Sequence, residues 1–285
     1  MFAEALEHPN VNIQTNTPVV SISDSPRHDG RWEVITPRGT VVARQVIMAT
    51  NAYTAALLPE YRDKIIPYRA VCSRIVTPDS SKPPPLTNTY TLRFSDWDFD
   101  YLIPRPDGSI IVGGARRTYL RHLKDWYGSV DDTQVIARAR GYFDGYMQRH
   151  FHGWEDSNAY TDDVWTGSKF CEVSVADFCH LSLLSMQMLQ LTHSSSQVMG
   201  YSADRLPRLG KIPGRENMFI MAGFTGHGMP QIFLAAKELS RMVLKGLDYA
   251  ETGLPRLFEE SKARLESDEN FVMDLYNSIA PSARL

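Results

Sequence analysis

Met218-Phe219-Ile220-Met221-Ala222-Gly223-Phe224-Thr225-Gly226-His227-Gly228-Met229-Pro230 decides how this chain is read. It starts as a short apolar run of strand type that stops at Gly223. Gly223, Gly226 and Gly228 then let the backbone turn sharply and approach a ligand with no Cβ in the way. Pro230 suits a first helical position, where its missing N–H is no loss. Ile232, Ala235, Ala236, Leu239, Met242 and Val243 follow at helical spacing, and Gly246 after Lys245 has the place of a C-cap. A strand, a glycine turn and a helix N-terminus suit an anion or an electron-rich ring edge, because the first helical N–H groups lack partners. By spacing alone the stretch is equally an ordinary strand-to-helix turn.

Composition sets the frame. The chain has 285 residues, enough for one large or two ordinary domains. Its 43% hydrophobic and 22% charged residues are those of a soluble globular protein. A net charge of -3 and the absence of any Lys/Arg run argue against a nucleic-acid partner. No apolar run reaches the length of a membrane span, and Met1-Phe2-Ala3-Glu4 has no signal-peptide character. Cys72, Cys171 and Cys179 lack metal-ligand spacing, so no metal site is expected, and their use suits a reducing compartment. No internal repeat is visible.

Along the chain, residues 2–8 read as the end of a helix, and residues 12–15 and 19–22 as short strands broken at Pro18. Residues 32–36, the turn Pro37-Arg38-Gly39 and residues 41–48 read as a hairpin leading into a buried strand. That strand ends at Ala49-Thr50-Asn51-Ala52, before a helix over 53–58. Residues 72–76 and 90–94 are further strands, on either side of Pro83-Pro84-Pro85. Residues 101–103 and 109–114 form a hairpin around Pro104-Arg105-Pro106-Asp107-Gly108. Residues 131–149 read as helical, and 255–276 as an amphipathic surface helix.

The order and content of these segments resemble the FAD-dependent oxidoreductases of the D-amino-acid oxidase and glycine oxidase superfamily. Within it they look most like the fungal and bacterial relatives of gamma-glutamylputrescine oxidase. Val46-Ile47-Met48-Ala49-Thr50-Asn51-Ala52 resembles the strand whose end approaches the FAD adenosine moiety. Ile66-Pro67-Tyr68-Arg69 resembles the crossing into the substrate domain, and residues 101–114 that domain's Y-x-x-P-x-x-D-G-x-x-x-x-G-G hairpin. Tyr201-Ser202-Ala203-Asp204-Arg205-Leu206-Pro207-Arg208-Leu209-Gly210, followed by residues 217–246, resembles the C-terminal return to the flavin.

Two departures stand beside these matches. The family opens with a strand, a G-x-G-x-x-G turn and a helix that cradle the FAD pyrophosphate. Here Gly30 is the sole glycine of residues 1–30, so the resemblance implies an N-terminally incomplete chain. The second departure is residues 168–197, which intervene between Val164-Trp165-Thr166-Gly167 and Met199-Gly200-Tyr201-Ser202. They hold no Gly or Pro and carry Cys171 and Cys179. We hypothesise a translated, unspliced fungal-type intron: Ser168-Lys169-Phe170 can be encoded across a GTAAGT donor, and Leu191-Thr192 across a CTAAC branch point. Transcript reads that cross the region with no spliced form would refute it. The other reading is a surface insertion with a helical stripe of Leu181, Leu184 and Met188.

The resemblance implies oxidation of a C–N bond of an amine or amino acid. Hydride passes from the α-carbon to the flavin, the imine hydrolyses, and oxygen is reduced to peroxide. It implies cofactor contacts from Ala49, Thr50, Asn51, Asp204, Gly223, Thr225, Gly226, His227, Gly228 and Met229, the turn acting through backbone N–H groups on the reduced ring. His227 offers a further side-chain donor or is simply a turn histidine, and Asp204 is a cofactor neighbour or a turn and cap carboxylate. Tyr101 and Arg69 are the catalytic and substrate candidates, with a half-buried strand aromatic and an interdomain ion pair as the other readings. Amino-acid oxidases place a substrate arginine just after the W-x-G segment; here that position reads Met199-Gly200-Tyr201, which favours an amine or N-substituted substrate.

The fold class expected is α/β, α+β overall. A partial Rossmann-like FAD domain lacking its N-terminal βαβ unit spans residues 1–60 and 198–285, with a β-rich substrate domain inserted at 61–167 and the atypical insertion at 168–197. Val46–Met48 and residues 218–221 are expected in one sheet. Two other functions stay in view: an inactive remnant of the fold acting as an interaction protein, and a nicotinamide-dependent dehydrogenase. The glycine turn's place near the C-terminus counts against the second. Location is read as cytoplasmic. The alternative is peroxisomal, through Ala283-Arg284-Leu285 as a variant of the Ser-Lys-Leu address; a fluorescent protein carrying this tail and staying diffuse would remove it.

Overall fold

The computed structural model describes residues 7–78, 83–131, 133–166 and 198–279. The expectations for residues 2–6, for 168–197 and for Ala283-Arg284-Leu285 lie outside the described residues. In chain order the strands are β1 (Ser21–Ile22), β2 (Trp32–Thr36), β3 (Gly39–Ala43), β4 (Val46–Met48), β5 (Ile65–Tyr68), β6 (Val71–Val76) and β7 (Tyr90–Arg93). There follow β8 (Phe99–Pro104), β9 (Ile110–Gly114), β10 (Tyr160–Thr166), β11 (Met199–Ser202), β12 (Arg208–Lys211) and β13 (Met218–Ala222). The α-helices are α1 (Thr54–Leu57), α2 (Arg116–Tyr119), α3 (Tyr146–His150), α4 (Met229–Lys245), α5 (Lys262–Glu266) and α6 (Phe271–Ile279).

Among the described residues the strands make four sheets in a mixed α/β arrangement, ordered β1-β2-β3, β10-β6-β9-β8-β7, β11-β5 and β12-β13-β4. The sequence expectation for the last sheet holds. β4 and β13 pair in parallel, with Met218 opposite Val46 and Ile220 opposite Met48. Residues far apart in sequence thus meet in one sheet, and both β4 and β13 end beside the glycine turn. α4 packs Ala235, Leu239 and Met242 onto Leu209, Phe219 and Phe224, and Gly246 closes it at φ 66, the left-handed conformation a C-cap glycine adopts.

The five-stranded sheet carries the larger core, where Leu102 and Val112 pack with Tyr119, Trp126, Phe143 and Tyr146. Buried Asp100 ties its hairpin to the next segment by accepting hydrogen bonds from Ala115 N at 2.9 Å, Tyr142 Oη at 2.6 Å and Tyr146 Oη at 2.8 Å. A buried carboxylate with three donors is satisfied.

The structure corrects several expectations. Residues 41–48 are two strands: a bend at Arg44 leaves β3 on β2, while Val46 N donates to Asn217 O at 3.1 Å and opens the pairing with β13. Of residues 12–15 and 19–22 only Ser21–Ile22 pairs; Asn16 turns at φ 51 and Pro18 has no N–H to donate. Residues 131–149 hold a 3-10 turn at Ala137–Ala139 and the short α3, since Gly145 at φ 62 interrupts any continuous helix. Residues 255–276 are likewise broken. Glu260 is drawn inward to Arg208, Ser261 caps α5 by accepting from Arg264 N, and Ser267 is extended.

Candidate functional site

The glycine turn between β13 and α4 is built from both sides. Gly223 stands at φ +73, and its N–H donates to Asn51 Oδ1 at 3.0 Å, joining the turn to the end of β4. Thr225 is left-handed at φ 54; its N–H donates to Gly200 O at 2.9 Å, and its Oγ1 accepts from Ser202 N at 3.2 Å. The turn is therefore fastened to β4 on one side and to β11 on the other. Gly200 is needed for this closeness, because a Cβ there would stand 2.5 Å from Asn51 Oδ1. Gly226 is needed too, being at φ +77 with Tyr201 Oη 3.1 Å from where a Cβ would go.

His227 Nδ1 lies 2.8 Å from Thr225 O. A carbonyl only accepts, so Nδ1 carries the proton there, and Nε2 of the neutral ring is an acceptor. The side-chain donor expected from His227 therefore exists at Nε2 only in the imidazolium form. α4 opens at Met229 with Pro230 in its first turn, leaving a helix N-terminus on the turn.

A cavity of about 470 Å³ lies against this turn. Thr225, His227 and Gln231 line it, together with Tyr68, Phe99, Arg116 and Tyr201. Tyr68 and Tyr201 stack, with ring centroids 4.3 Å apart at 21°. Burial pushes both phenols up from their ordinary pKa, so each is a neutral hydroxyl at neutral pH. Gln231 Oε1 is buried without a hydrogen-bond partner, one unsatisfied acceptor in a residue of a mainly apolar lining.

The residues expected from sequence divide. Gly223, Thr225, Gly226, His227, Gly228 and Met229 form the turn and helix start, and Asn51 braces them. Thr50 Oγ1 pairs with Thr54 Oγ1 at 2.9 Å, inside the turn that follows β4 and Ala49. Asp204 is held by Arg264, whose Nε and Nη2 donate at 2.7 and 3.0 Å, and by Ser202 Oγ at 2.7 Å, so its carboxylate serves structure. Arg264 and Ser202, which hydrogen-bond the Asp204 carboxylate, keep its pKa at about 2 against the desolvation that burial imposes. Neither substrate candidate lines the cavity. Tyr101 Oη contacts Cys72 Sγ at 3.0 Å and its ring lies over Gly113, while Arg69 Nη2 donates to Gln134 O. Sequence reasoning missed Arg116, Arg205, Gln231 and Tyr68, which do line it; the aromatic and basic run after Gly113-Gly114 held the signal for Arg116 alone.

The profile of DAO, FAD dependent oxidoreductase, matches residues 1–242 of the chain. The chain belongs to the DAO family. Solved structures of similar fold include glycine oxidase from Geobacillus kaustophilus, at 19% identity and a TM-score of 0.56, covering 86% of this chain and 52% of that one. Iminodiacetate oxidase from Chelativorans sp. BNC1 is similar at 16% identity and a TM-score of 0.53, covering 84% of this chain and 52% of that one. An L-amino acid deaminase from Proteus vulgaris, lacking its specific insertion sequence, is similar at 13% identity and 0.53, covering 88% and 50%. This DAO-family chain thus spans about half the length of these structures. No curated protein matches it significantly.

The DAO family is FAD-dependent. The residues present fit the ring end of that cofactor. A planar group with a hydrogen-bond donor at its edge matches the orphaned Gln231 Oε1, and one that gains negative charge on reduction matches the N-terminus of α4. Of the turn and the start of α4, Thr225, His227 and Gln231 line the cavity and would hold it, while Gly226, Gly228 and Met229 do not line it.

Proposed function

We propose that the protein oxidises a C–N bond of an amine or amino acid. The substrate carbon loses a hydride and the nitrogen a proton. The imine takes up water and releases the amine, and O₂ accepts the two electrons and two protons as hydrogen peroxide. FAD, when bound, supplies the two-electron acceptor that links substrate to oxygen. The chain's own part is to hold and orient. The start of α4 presents its N-terminus where negative charge develops, and the Tyr68–Tyr201 stack lines the same cavity with apolar surface. The observation that carries this reading is the cavity lined by the glycine turn, the first turn of α4 and the Tyr68–Tyr201 stack. The division into flavin-binding parts at 1–60 and 198–285 and a substrate domain at 61–167 belongs to the same reading, supported by the parallel pairing of β4 with β13.

The purified protein is titrated with FAD, and flavin fluorescence and the visible spectrum are followed. Uptake is expected, then bleaching of the visible band by a member of an amine and amino-acid panel without oxygen, and peroxide formation in air. Failure to take up FAD, or uptake with no reduction across the panel, leaves the inactive-remnant reading in its place.

A further inference from the structure

Part of the cavity lining lies beyond the residues that match the DAO family. The family match ends at residue 242, and Phe258, Phe271, Val272 and Leu275 line the cavity past that point. All four are apolar. Phe271 and Leu275 stand one helical turn apart on α6, so they share a face of the helix. The helix that carries them is tied down at its start. Phe271 N donates to Ala203 O at 2.9 Å. Asn270 Nδ2 donates to Tyr127 Oη at 3.0 Å, while its Oδ1 accepts from Met273 N at 3.1 Å. Val272 and Ile279 are buried in the larger core, which anchors the rest of α6. Arg205, on the segment after β11, has its guanidinium 3.4 Å from the centroid of the Phe271 ring and holds that ring by a cation–π contact. The apolar surface that α6 gives the cavity is therefore set before any ligand arrives.

We propose that Phe271 and Leu275 are specificity-determining residues, by which α6 selects amines bearing an aryl or long alkyl group over short-chain ones. This rests on the C–N oxidation reading and names the class of substrate. A phenyl ring and a branched alkyl chain offer no hydrogen bond to a polar substituent, and burying a hydroxyl or a second ammonium against them leaves that group unsolvated. Each methylene or ring carbon laid on them leaves water and adds to binding. A cavity of about 470 Å³ has the size to take such a group, as ligand pockets of roughly 300–1,000 Å³ do. Because these residues lie past the family match, the selection they impose belongs to this chain and does not follow from its membership of the DAO family.

Cumylamine and tert-butylamine lack a hydrogen on the carbon that bears nitrogen, so neither can lose a hydride and binding is read without turnover. They differ by a phenyl group in place of a methyl group. Titration calorimetry is run on the purified protein saturated with FAD, or without FAD if none is taken up. Wild type is expected to favour cumylamine by about 10- to 100-fold. Leu275→Trp fills the space and is expected to weaken cumylamine by about 10-fold or more, with tert-butylamine kept within about 3-fold. Leu275→Met, of similar volume, should keep the wild-type preference. A wild-type protein that binds the two amines equally overturns the proposal. So does an L275W variant of unchanged melting temperature and unchanged preference, or one that loses FAD uptake and keeps the preference, which would assign this surface to the cofactor. Should L275W fail to fold, Leu275→Ala carries the comparison, with the preference for cumylamine expected to shrink by about 5-fold and an unshrunk preference refuting it. A protein that discriminates yet oxidises no amine refutes the C–N oxidation reading and leaves the α6 surface; one that oxidises amines without discriminating does the reverse.

Discussion

Replacing Arg208 with methionine removes the cation at the centre of the largest buried polar knot. Arg208 and Glu260 have side chains 1% and 0% exposed. Nη1 donates to both carboxylate oxygens at 3.1 and 3.0 Å, and Nε donates to Ser202 Oγ at 3.1 Å. Without the guanidinium, Glu260 Oε1 keeps the Ser261 N–H at 3.1 Å, and the carboxylate stays buried without its ion-pair partner, with only the weaker influence of Arg264 left. Removing one partner of such a pair costs about 3–5 kcal/mol, because the survivor cannot recover its hydration. At about 2–4 °C per kcal/mol for a chain of this size, the melting temperature falls by roughly 6–20 °C. Burial already pushes the Glu260 carboxyl up, with Arg208 opposing it, so the variant's carboxyl rises further. A carboxyl whose folded pKa exceeds its unfolded value stabilises fully below the unfolded value and loses that contribution as pH rises through the folded one. The deficit of R208M is therefore larger at pH 8 than at pH 5, and differential scanning calorimetry across that range measures it. Arg208→Met with Glu260→Leu should recover most of the loss, since two apolar groups need no hydrogen bonds. A single variant melting within about 2 °C of the parent, or a double variant no better than R208M, refutes the account.

Gly114→Ala should cost more than about 2 kcal/mol: at φ +139 its Cβ would stand 2.0 Å from the Asp100 carboxylate and 2.9 Å from Phe99 O, and a melt unchanged from wild type would exclude this. Asn51→Ala should cost about 1–2 kcal/mol by leaving the Gly223 N–H unpaired, with faster amide exchange at Gly223 as the specific readout. Asp204, whose folded pKa is lowered from 3.8 to about 2, adds about 2 kcal/mol above its unfolded value, lost as pH falls from about 5 through 2. Asp204→Asn should flatten that slope, and an identical acid profile in both proteins would remove Asp204 from it.

The parts of the fold that could be read ahead are those where local pattern and tertiary demand agree. β13 is apolar because it pairs on both sides, β4 with the same composition pairs only with it, and glycines mark where each must end. The hairpin β8–β9 is announced by its own turn chemistry. Residues 255–276 have a helical composition, yet the chain breaks at Glu260 because Arg208, distant in sequence, holds that carboxylate inside. Residues 131–149 fail in the same way at Gly145, whose left-handed φ is a backbone state that composition does not announce. Helix propensity, at a few tenths of a kcal/mol per residue, yields to one buried ion pair of several.

The site divides along the same line. A glycine turn is local, so its residues could be named from sequence; the partners that give it shape come from two other segments, Asn51 after β4 and Gly200 with Tyr201 in β11. Arg69, Arg116, Arg205 and Arg208 are the same residue type and cannot be ranked by type. What separates them is what each guanidinium meets: a backbone carbonyl for Arg69, a buried carboxylate for Arg208, and only rings and a neutral hydroxyl for Arg116. A charge that folding leaves half-buried beside aromatic rings has lost hydration without gaining a counter-ion. No spacing rule contains that imbalance, so only the folded contacts rank the four guanidiniums.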